Sequence, residues 1–557
     1  MTVPQPKLSW QDSARQVQVV RDLSIESVDP AIAAFPDTHT GRVIDFPRKH
    51  LSQTEIAITE TSAESLVASL ATGKLTATAV TKAFLRRAAI AQKLSSTKTN
   101  CIYELLPERA IARAQELDDY VTKHGKPSGP LHGLPISIKA HVGLKGRDLA
   151  AGFVSGLDRV SKDDANIVKI LLDAGAVVYA RTTEPQGLMA LETYSNITGT
   201  TTNPHNTALT PGGSSGGESA LQALYGSPLG IGSDIGGSIR SPAANCGLYG
   251  LKPSTGRLPL IGCASYLLGC EAIMGTLGPI SPTLGGVELF MKTIIEAKPW
   301  VKDSMMLPIP WRDQEKHIHQ DNKKLTVGVM WTDDVVTPAP AVTRALKEVV
   351  ERLKLVDNIE VIEWKAYKQK EALEILTRLY APDGGKAFAR HAEASGEPLT
   401  PLTAWTLRDT PGIEELSHQG LWDWTGKREM FRYSYLQEWN NVAPEMDVIL
   451  CPAFPTPAPL HDTSRYWGYT SLFNLLDYSA LVFPVTKVDL ERDAKDTAYI
   501  PKNEFDSWAY ENYDPVKQKD APVSLQLVAK KFEEEKLLQA FKEIQEKIGL
   551  PFVDCLA

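Results

Sequence analysis

The chain has 557 residues, 43% of them hydrophobic and 23% charged, which is enough for a large buried core. Its 59 basic and 67 acidic side chains leave a net charge of −8, which argues against a general nucleic-acid binder. Six scattered cysteines with no C-x-x-C pair exclude a disulfide framework and a zinc-ligand pattern, and no apolar run approaches the roughly 18 residues of a membrane span. The start, MTVPQPKLSWQDSARQ, has no apolar signal core, and Cys555 is third from the end, so the prenylation pattern is not met. The expectation is a cytoplasmic protein that needs no metal or other cofactor and has no membrane span.

Residues 1–55 are polar and carry Pro4, Pro6, Pro30, Pro36 and Pro47. They read as an extended arm packed on a body of residues 56–557. Thr61-Ser62-Ala63-Glu64 fits a capping box opening a helix that Gly73 stops. A second helix is expected from about Thr76 to Gln92, a strand over Ile102–Leu105, and a helix over Glu108–Lys123 ended near Gly125. In Pro135-Ile136-Ser137-Ile138-Lys139 apolar and polar residues alternate, as in a strand, with Lys139 at its end on the face opposite the isoleucines. Asp163–Asp173 reads as a helix stopped by Gly175, and Ala176–Ala180 as a buried strand. Leu325–Trp331, Ala341–Leu355 and Val361–Trp364 repeat the strand–helix alternation, and Met446–Cys451 is again a strand. It runs into CPAFPTPAP, which suits a pocket rim or a stiff surface loop. The segment 365–445 is rich in charge and aromatics (Trp405, Trp422, Trp424, Phe431, Tyr433, Tyr435, Trp439), which on helices are more often core than ligand cage. Phe532–Ile548 closes the chain as an amphipathic helix stopped by Gly549. Without a tandem repeat or a sharp break in composition, one large α/β body follows.

The chemistry concentrates between Pro211 and Pro253, a Gly- and Ser-dense run with two Gly-Gly-Ser units, Gly212-Gly213-Ser214 and Gly236-Gly237-Ser238. Glycine serves where the backbone takes special angles or approaches another group closely. A flexible linker would not carry Ile235, Ile239, Arg240, Leu248 and Tyr249 between its glycines. Three other motifs fail on context. Gly213-Ser214-Ser215-Gly216-Gly217 matches G-x-S-x-G, with Ser215 as nucleophile, but a loop precedes it where a hydrolase elbow needs a strand. Gly230-Ile231-Gly232 has its third glycine one residue late for a dinucleotide fingerprint, and no Walker pattern occurs. His317-Ile318-His319 is an isolated pair in a charged loop, read as inert. What remains is a lysine and two serines. A serine hydroxyl needs a base to become a nucleophile, and a lysine whose pKa burial has lowered can be that base. The consecutive amides of Ile235-Gly236-Gly237-Ser238 offer an oxyanion hole, bracketed by Asp234 and Arg240 as a local ion pair.

These pieces carry a family resemblance. GLPISIK (133–139), TTNP and PGGSSGGE (201–218), SDIGGSIRSPA (233–243) and GLYGLKPSTGRLP (247–259) together resemble the amidase signature family. The likeness extends over most of the chain, and VIDFPRKHLSQTEIAITE, PWVKDSMMLPIPWR and RYWGYTSLFNLLDYSALVFPV look most like the stand-alone general amidases of the fungal acetamidase type. The resemblance implies a single large α/β domain with a mixed, twisted sheet flanked by helices on both faces. Its signature core would span about 130–260 and its variable, substrate-side segment about 365–445. It implies a small-molecule amide substrate, no cofactor, and hydrolysis of a carboxamide through an acyl-enzyme. The family's Ser-cisSer-Lys triad falls on Ser238 as nucleophile, Ser214 as the bridging serine after a cis peptide bond, and Lys139 as base. The oxyanion hole falls on Ile235, Gly236, Gly237 and Ser238. Leu188 aligns with a substrate-bordering position, and Ser215 is a supporting hydroxyl. One departure is plain: many relatives place an acidic residue directly after the lysine, whereas Ala140 and then His141 stand here, which removes a charge partner from the base. The alternatives are a fatty-acid or aryl amide hydrolase, an amidotransferase subunit, or an inactive scaffold. Relatives are often dimers, so monomer and homodimer are both compatible.

Overall fold

A computed structural model describes residues 8–32, 35, 41–93, 99–267, 269–312 and 323–556. The histidine pair His317 and His319 lies outside the described residues. Thirteen strands occur among the described residues: β1 (Ile102–Leu105), β2 (Pro135–Lys139), β3 (Val177–Thr182), β4 (Tyr194–Ser195), β5 (Gly199–Thr200), β6 (Gly230–Asp234), β7 (Tyr249–Lys252), β8 (Thr276–Ser281), β9 (Leu325–Val329), β10 (Ile359–Glu363), β11 (Val448–Pro452), β12 (Ser479–Lys487) and β13 (Pro522–Ala529). Strands β4 and β5 pair only with each other; the other eleven form one sheet in the order β1-β3-β2-β6-β8-β7-β12-β13-β11-β9-β10. Parallel pairs (β3–β2–β6 and β11–β9–β10) sit beside antiparallel ones (β6–β8–β7–β12–β13–β11), so the sheet is mixed.

Every residue of β2, β3, β9, β11 and β13 is buried. Successive side chains point to opposite faces of a sheet, so both faces are covered, as these Val-, Ile- and Leu-rich strands require. The largest buried cluster joins β2, β3, β9 and β13 to helices such as Ala77–Lys93 and Glu534–Ile548. A second cluster gathers Trp364, Leu376, Phe431, Tyr435, Trp439, Tyr469 and Tyr478. Of the aromatics in 365–445, Phe431, Tyr435 and Trp439 are therefore core, whereas Trp422 and Tyr433 are 67% and 58% exposed.

Strand boundaries agree with the periodicity to within about two residues at β1, β2, β3, β9, β10 and β11. Helix stops fall where glycine can take positive φ: Gly73 at 69°, Gly125 at 64°, Gly549 at 70°. Three expectations are corrected. Residues 1–55 are not extended throughout, because Trp10–Glu26 is a helix capped by Ser9, whose hydroxyl accepts from the Asp12 amide. The prolines that suggested extension all lie outside it. Ala14, Arg21 and Ile25 face inward, and Ser24 Oγ accepts from the Leu105 amide of the edge strand β1. The capping box is Ser52–Glu55, one helix earlier than expected; Ser62 caps its helix through Ser65, while Glu64 accepts from Thr283. Finally, CPAFPTPAP is buried along its whole length, so it is an internal loop and not a surface one.

Candidate active site

Strands β2 and β6 run parallel, with Ser137 level with Gly230 and Ile138 with Ile231. Lys139 ends β2 and Asp234 ends β6, so both open onto the same edge of the sheet, where ligands gather in α/β folds. Lys139 is wholly buried. Its Nζ lies 2.5 Å from Ser214 Oγ and 3.0 Å from Ser233 Oγ. Burial lowers its pKa to about 7, against the opposing pull of Glu184, Asp234 and Glu218. A lysine in that state is neutral in a large fraction of molecules near pH 7 and can accept a proton.

Ser214 follows a cis Gly213–Ser214 peptide and leads into the helix Gly216–Ala223. The next residue, Ser215, ties the two Gly-Gly-Ser loops together: its amide donates to Ser238 O at 3.1 Å, and its hydroxyl makes long contacts of 3.3 and 3.4 Å with Ser233 N and O. Ser238 is buried in the turn between β6 and the helix Arg240–Cys246. The structure thus brings Lys139, Ser214, Ser215 and Ser238 to one place from segments up to about a hundred residues apart in the chain.

The turn itself is tied down with care. Asp234 accepts from the amides of Gly237 (2.8 Å), Ile239 (3.1 Å) and Arg240 (3.4 Å), and its carboxylate pairs with the Arg240 guanidinium at 3.0 Å. Burial alone would raise the Asp234 carboxyl, but Arg240 holds it well below the usual carboxylate range. Asn474 donates to Asp234 as well, and Arg240 donates to Thr470 O and Asn474 Oδ1. The Gly237 amide is thus already bonded inside the protein, and at φ 136° this glycine shapes the turn. Among the described residues, the amides of Ile235, Gly236 and Ser238 find no acceptor in the protein. Unbonded N–H groups on a largely buried turn are rare and mark a place where a ligand oxygen can sit. Leu188 is half-buried on a short turn after β3, with φ 62°, a conformation that non-glycine residues seldom take.

The family model described as Amidase matches residues 79–538. The chain belongs to the amidase family. It is similar to the acetamidase of Emericella nidulans, 40% identical over 516 residues (91% of this chain, 93% of that protein). It is likewise similar to the acetamidase of Aspergillus oryzae, 38% identical over 98% of this chain and 100% of that one. A solved structure of a fatty acid amide hydrolase superposes with a TM-score of 0.91 at 35% identity, over 98% of this chain and 96% of that chain. The protein is a hydrolase acting on linear amide C–N bonds. No helix among the described residues is long and apolar enough to cross a membrane.

Several residues of this amidase site are absent from the sequence reading. Ser233 stands beside Lys139 because β6 pairs with β2; the signal was its place one residue before Asp234. Glu218 lies fully buried behind β2 and accepts from Ser137, Thr182 and Gln222. Burial raises its carboxyl to about 7, opposed by those hydrogen bonds and by Lys139. Glu184 accepts from both the amide and Nδ1 of His141, and it is the carboxylate that acts most strongly on Lys139. The acidic charge missing at position 140 is therefore supplied from the loop after β3. Tyr380 and Thr470 reach the turn from far along the chain: Tyr380 donates to Ile235 O at 2.8 Å and Thr470 to Gly236 O at 2.6 Å.

Proposed function

We propose that the chain is a stand-alone amidase that cleaves carboxamides through a Ser238–Ser214–Lys139 relay. Neutral Lys139 Nζ takes a proton from Ser214 Oγ, and Ser214 takes one from Ser238 Oγ. The Ser238 oxygen attacks the carbonyl carbon, and the tetrahedral oxyanion rests on the turn Ile235–Ser238, where the amides of Ile235, Gly236 and Ser238 are the donors not bonded elsewhere. The C–N bond then breaks, and the proton returns from Lys139 through Ser214 to the leaving nitrogen, which departs as ammonia or an amine. Water adds to the acyl-enzyme by the same relay and releases the carboxylic acid and free Ser238. The observation that carries this reading is the wholly buried Lys139 Nζ at 2.5 Å from Ser214 Oγ, with a pKa lowered to about 7.

Support for a small acyl group comes from the two acetamidases, each aligned over more than nine-tenths of this chain. A second reading, a longer or aryl acyl group, is favoured by the fatty acid amide hydrolase likeness and by the aromatic wall of Tyr380, Trp405 and Trp467 around a cavity of about 100 Å³. The lining of that cavity includes none of Lys139, Ser214 and Ser238, so its size does not set the acyl group, and the small-amide reading is preferred on the acetamidase likeness. A turnover screen over acetamide, benzamide and oleamide, with a fluorophosphonate probe mapped to its serine, tests both parts. Labelling of Ser238 and highest kcat/KM on acetamide are expected; labelling at another serine would overturn the relay.

A further inference from the structure

The turn that carries Ser238 owes its shape partly to a residue of the variable segment. Tyr380 is the last residue of the helix Gln369–Tyr380, which ends there because Ala381 precedes Pro382 and leaves the helical region. Its ring is 5.9 Å from that of Trp467, and its hydroxyl donates to the carbonyl of Ile235 at 2.8 Å. The side chain is only 7% exposed, and this is the hydrogen bond its hydroxyl makes. Burial, with Asp234 adding to it, pushes the phenol above its ordinary value, so it stays a donor at every working pH.

The geometry of one peptide unit gives this bond its consequence. In a trans peptide the C=O and the N–H are coplanar and point to opposite sides. Fixing the Ile235 carbonyl on Tyr380 therefore aims the Gly236 N–H the other way. The Gly236 amide is one of the three in the turn that find no acceptor among the described residues. The next peptide unit is held at both ends, with Gly236 O accepting from Thr470 Oγ1 at 2.6 Å and Gly237 N donating to Asp234 at 2.8 Å. Among the described residues, the hydrogen bond that opposes rotation of the Ile235–Gly236 unit on its other side is the one from Tyr380. A side chain at 236 would push on this arrangement, since a Cβ there would stand 2.7 Å from the Trp467 ring and 2.9 Å from the Tyr380 hydroxyl.

We infer that Tyr380 is a positioning residue for the oxyanion hole, which through the Ile235 carbonyl holds the Gly236 amide toward the carbonyl oxygen under attack. This inference rests on Ser238 being the nucleophile. It assigns to the segment 365–445 a part in shaping the oxyanion hole, where sequence alone suggested only core packing or substrate contact. Tyr380 also lines, with Trp467, a cavity of about 100 Å³.

The test is Tyr380→Phe, which removes the hydroxyl and keeps the ring, with enzyme concentration set by fluorophosphonate titration so that only folded sites are counted. Expected are a kcat lower by about 10- to 100-fold and a KM within about threefold of wild type. A trifluoromethyl ketone, whose adduct with a serine places an oxyanion in the hole, should lose affinity by the same factor as kcat/KM. Tyr380→Leu, which also removes the ring, should fall little further in kcat per titrated site. Unchanged kcat and inhibitor affinity in Tyr380→Phe, with a loss appearing only in Tyr380→Leu, would overturn the inference and leave packing as the role. A wild-type protein that the probe labels at a serine other than Ser238 would instead sink the relay itself, so the two failures are told apart.

Discussion

At Gly212-Gly213-Ser214 the chain packs directly on other backbone, since a Cβ on Gly213 would stand 2.5 Å from both the N and the O of Glu192, and the Thr193 hydroxyl adds a brace by donating to Gly212 O and accepting from Gly216 N. At Gly236-Gly237-Ser238 the grip comes from side chains, Asp234 from within and Tyr380 and Thr470 from distant helices. The difference matches the work proposed for each. A proton bridge needs one oxygen at one fixed distance from Lys139, which a rigid local loop can give. An oxyanion hole needs several amides aimed at a point, and side chains from three directions set that aim without filling the space.

The comparison can be broken most severely at its two serines. Ser238→Ala should lower kcat by at least about 10³-fold, since the nucleophile has no substitute in the turn. Near wild-type turnover on acetamide and benzamide would show that the second loop is not where bonding changes occur. Lys139 sets the next largest effect. Its pKa near 7 means that it is protonated, and unable to accept, at lower pH. kcat/KM should therefore rise through about pH 7 and level off above it, and a flat profile from pH 6 to 9 would remove Lys139 from the role of base. Lys139→Met should lose both the turnover and the limb.

A third test separates the two kinds of grip. In Gly213→Ala the new methyl meets backbone that cannot step aside, and a loss of about 1–3 kcal/mol in stability is expected, read as a lower denaturation midpoint. In Gly236→Ala it meets the Trp467 ring and the tip of Tyr380, which can move. That variant should keep more of its stability while losing turnover. Equal stability losses would mean that both loops are held by equally rigid walls.

Much of the first loop and its base was legible because each piece shows in its own short window: the glycines around Ser214 and, 75 residues upstream, the strand-end lysine and the alternation of β2. The second was legible only at its motif. Thr470, Asn474 and Tyr380 bond to it from segments with ordinary helical patterns, where nothing local distinguishes a hydroxyl that supports a turn from one in solvent. Ser233 and Glu184 were hidden for the same reason, since their nearness to Lys139 follows from strand pairing and from the loop after β3. The N-terminal helix was hidden differently: its apolar face is thin, with Ala14, Arg21 and Ile25 turned inward, so composition and flanking prolines outweighed it.

The smallest expected effect also decides most sharply between two serines side by side. Ser215 matches the G-x-S-x-G pattern and stands one residue from Ser214. Its hydroxyl contacts, at 3.3 and 3.4 Å, are long, whereas the bond that joins the loops is made by its backbone amide at 3.1 Å. Alanine keeps that amide. Ser215→Ala should therefore cost no more than about 1 kcal/mol in stability and change kcat by less than about fivefold. Loss of turnover on the scale of Ser238→Ala would instead restore Ser215 as a nucleophile at an elbow, although it opens a helix from a loop and not from a strand. A mild effect would show that what links the bridge to the hole is the peptide backbone, with the Ser215 hydroxyl only bracing Ser233 beside the base.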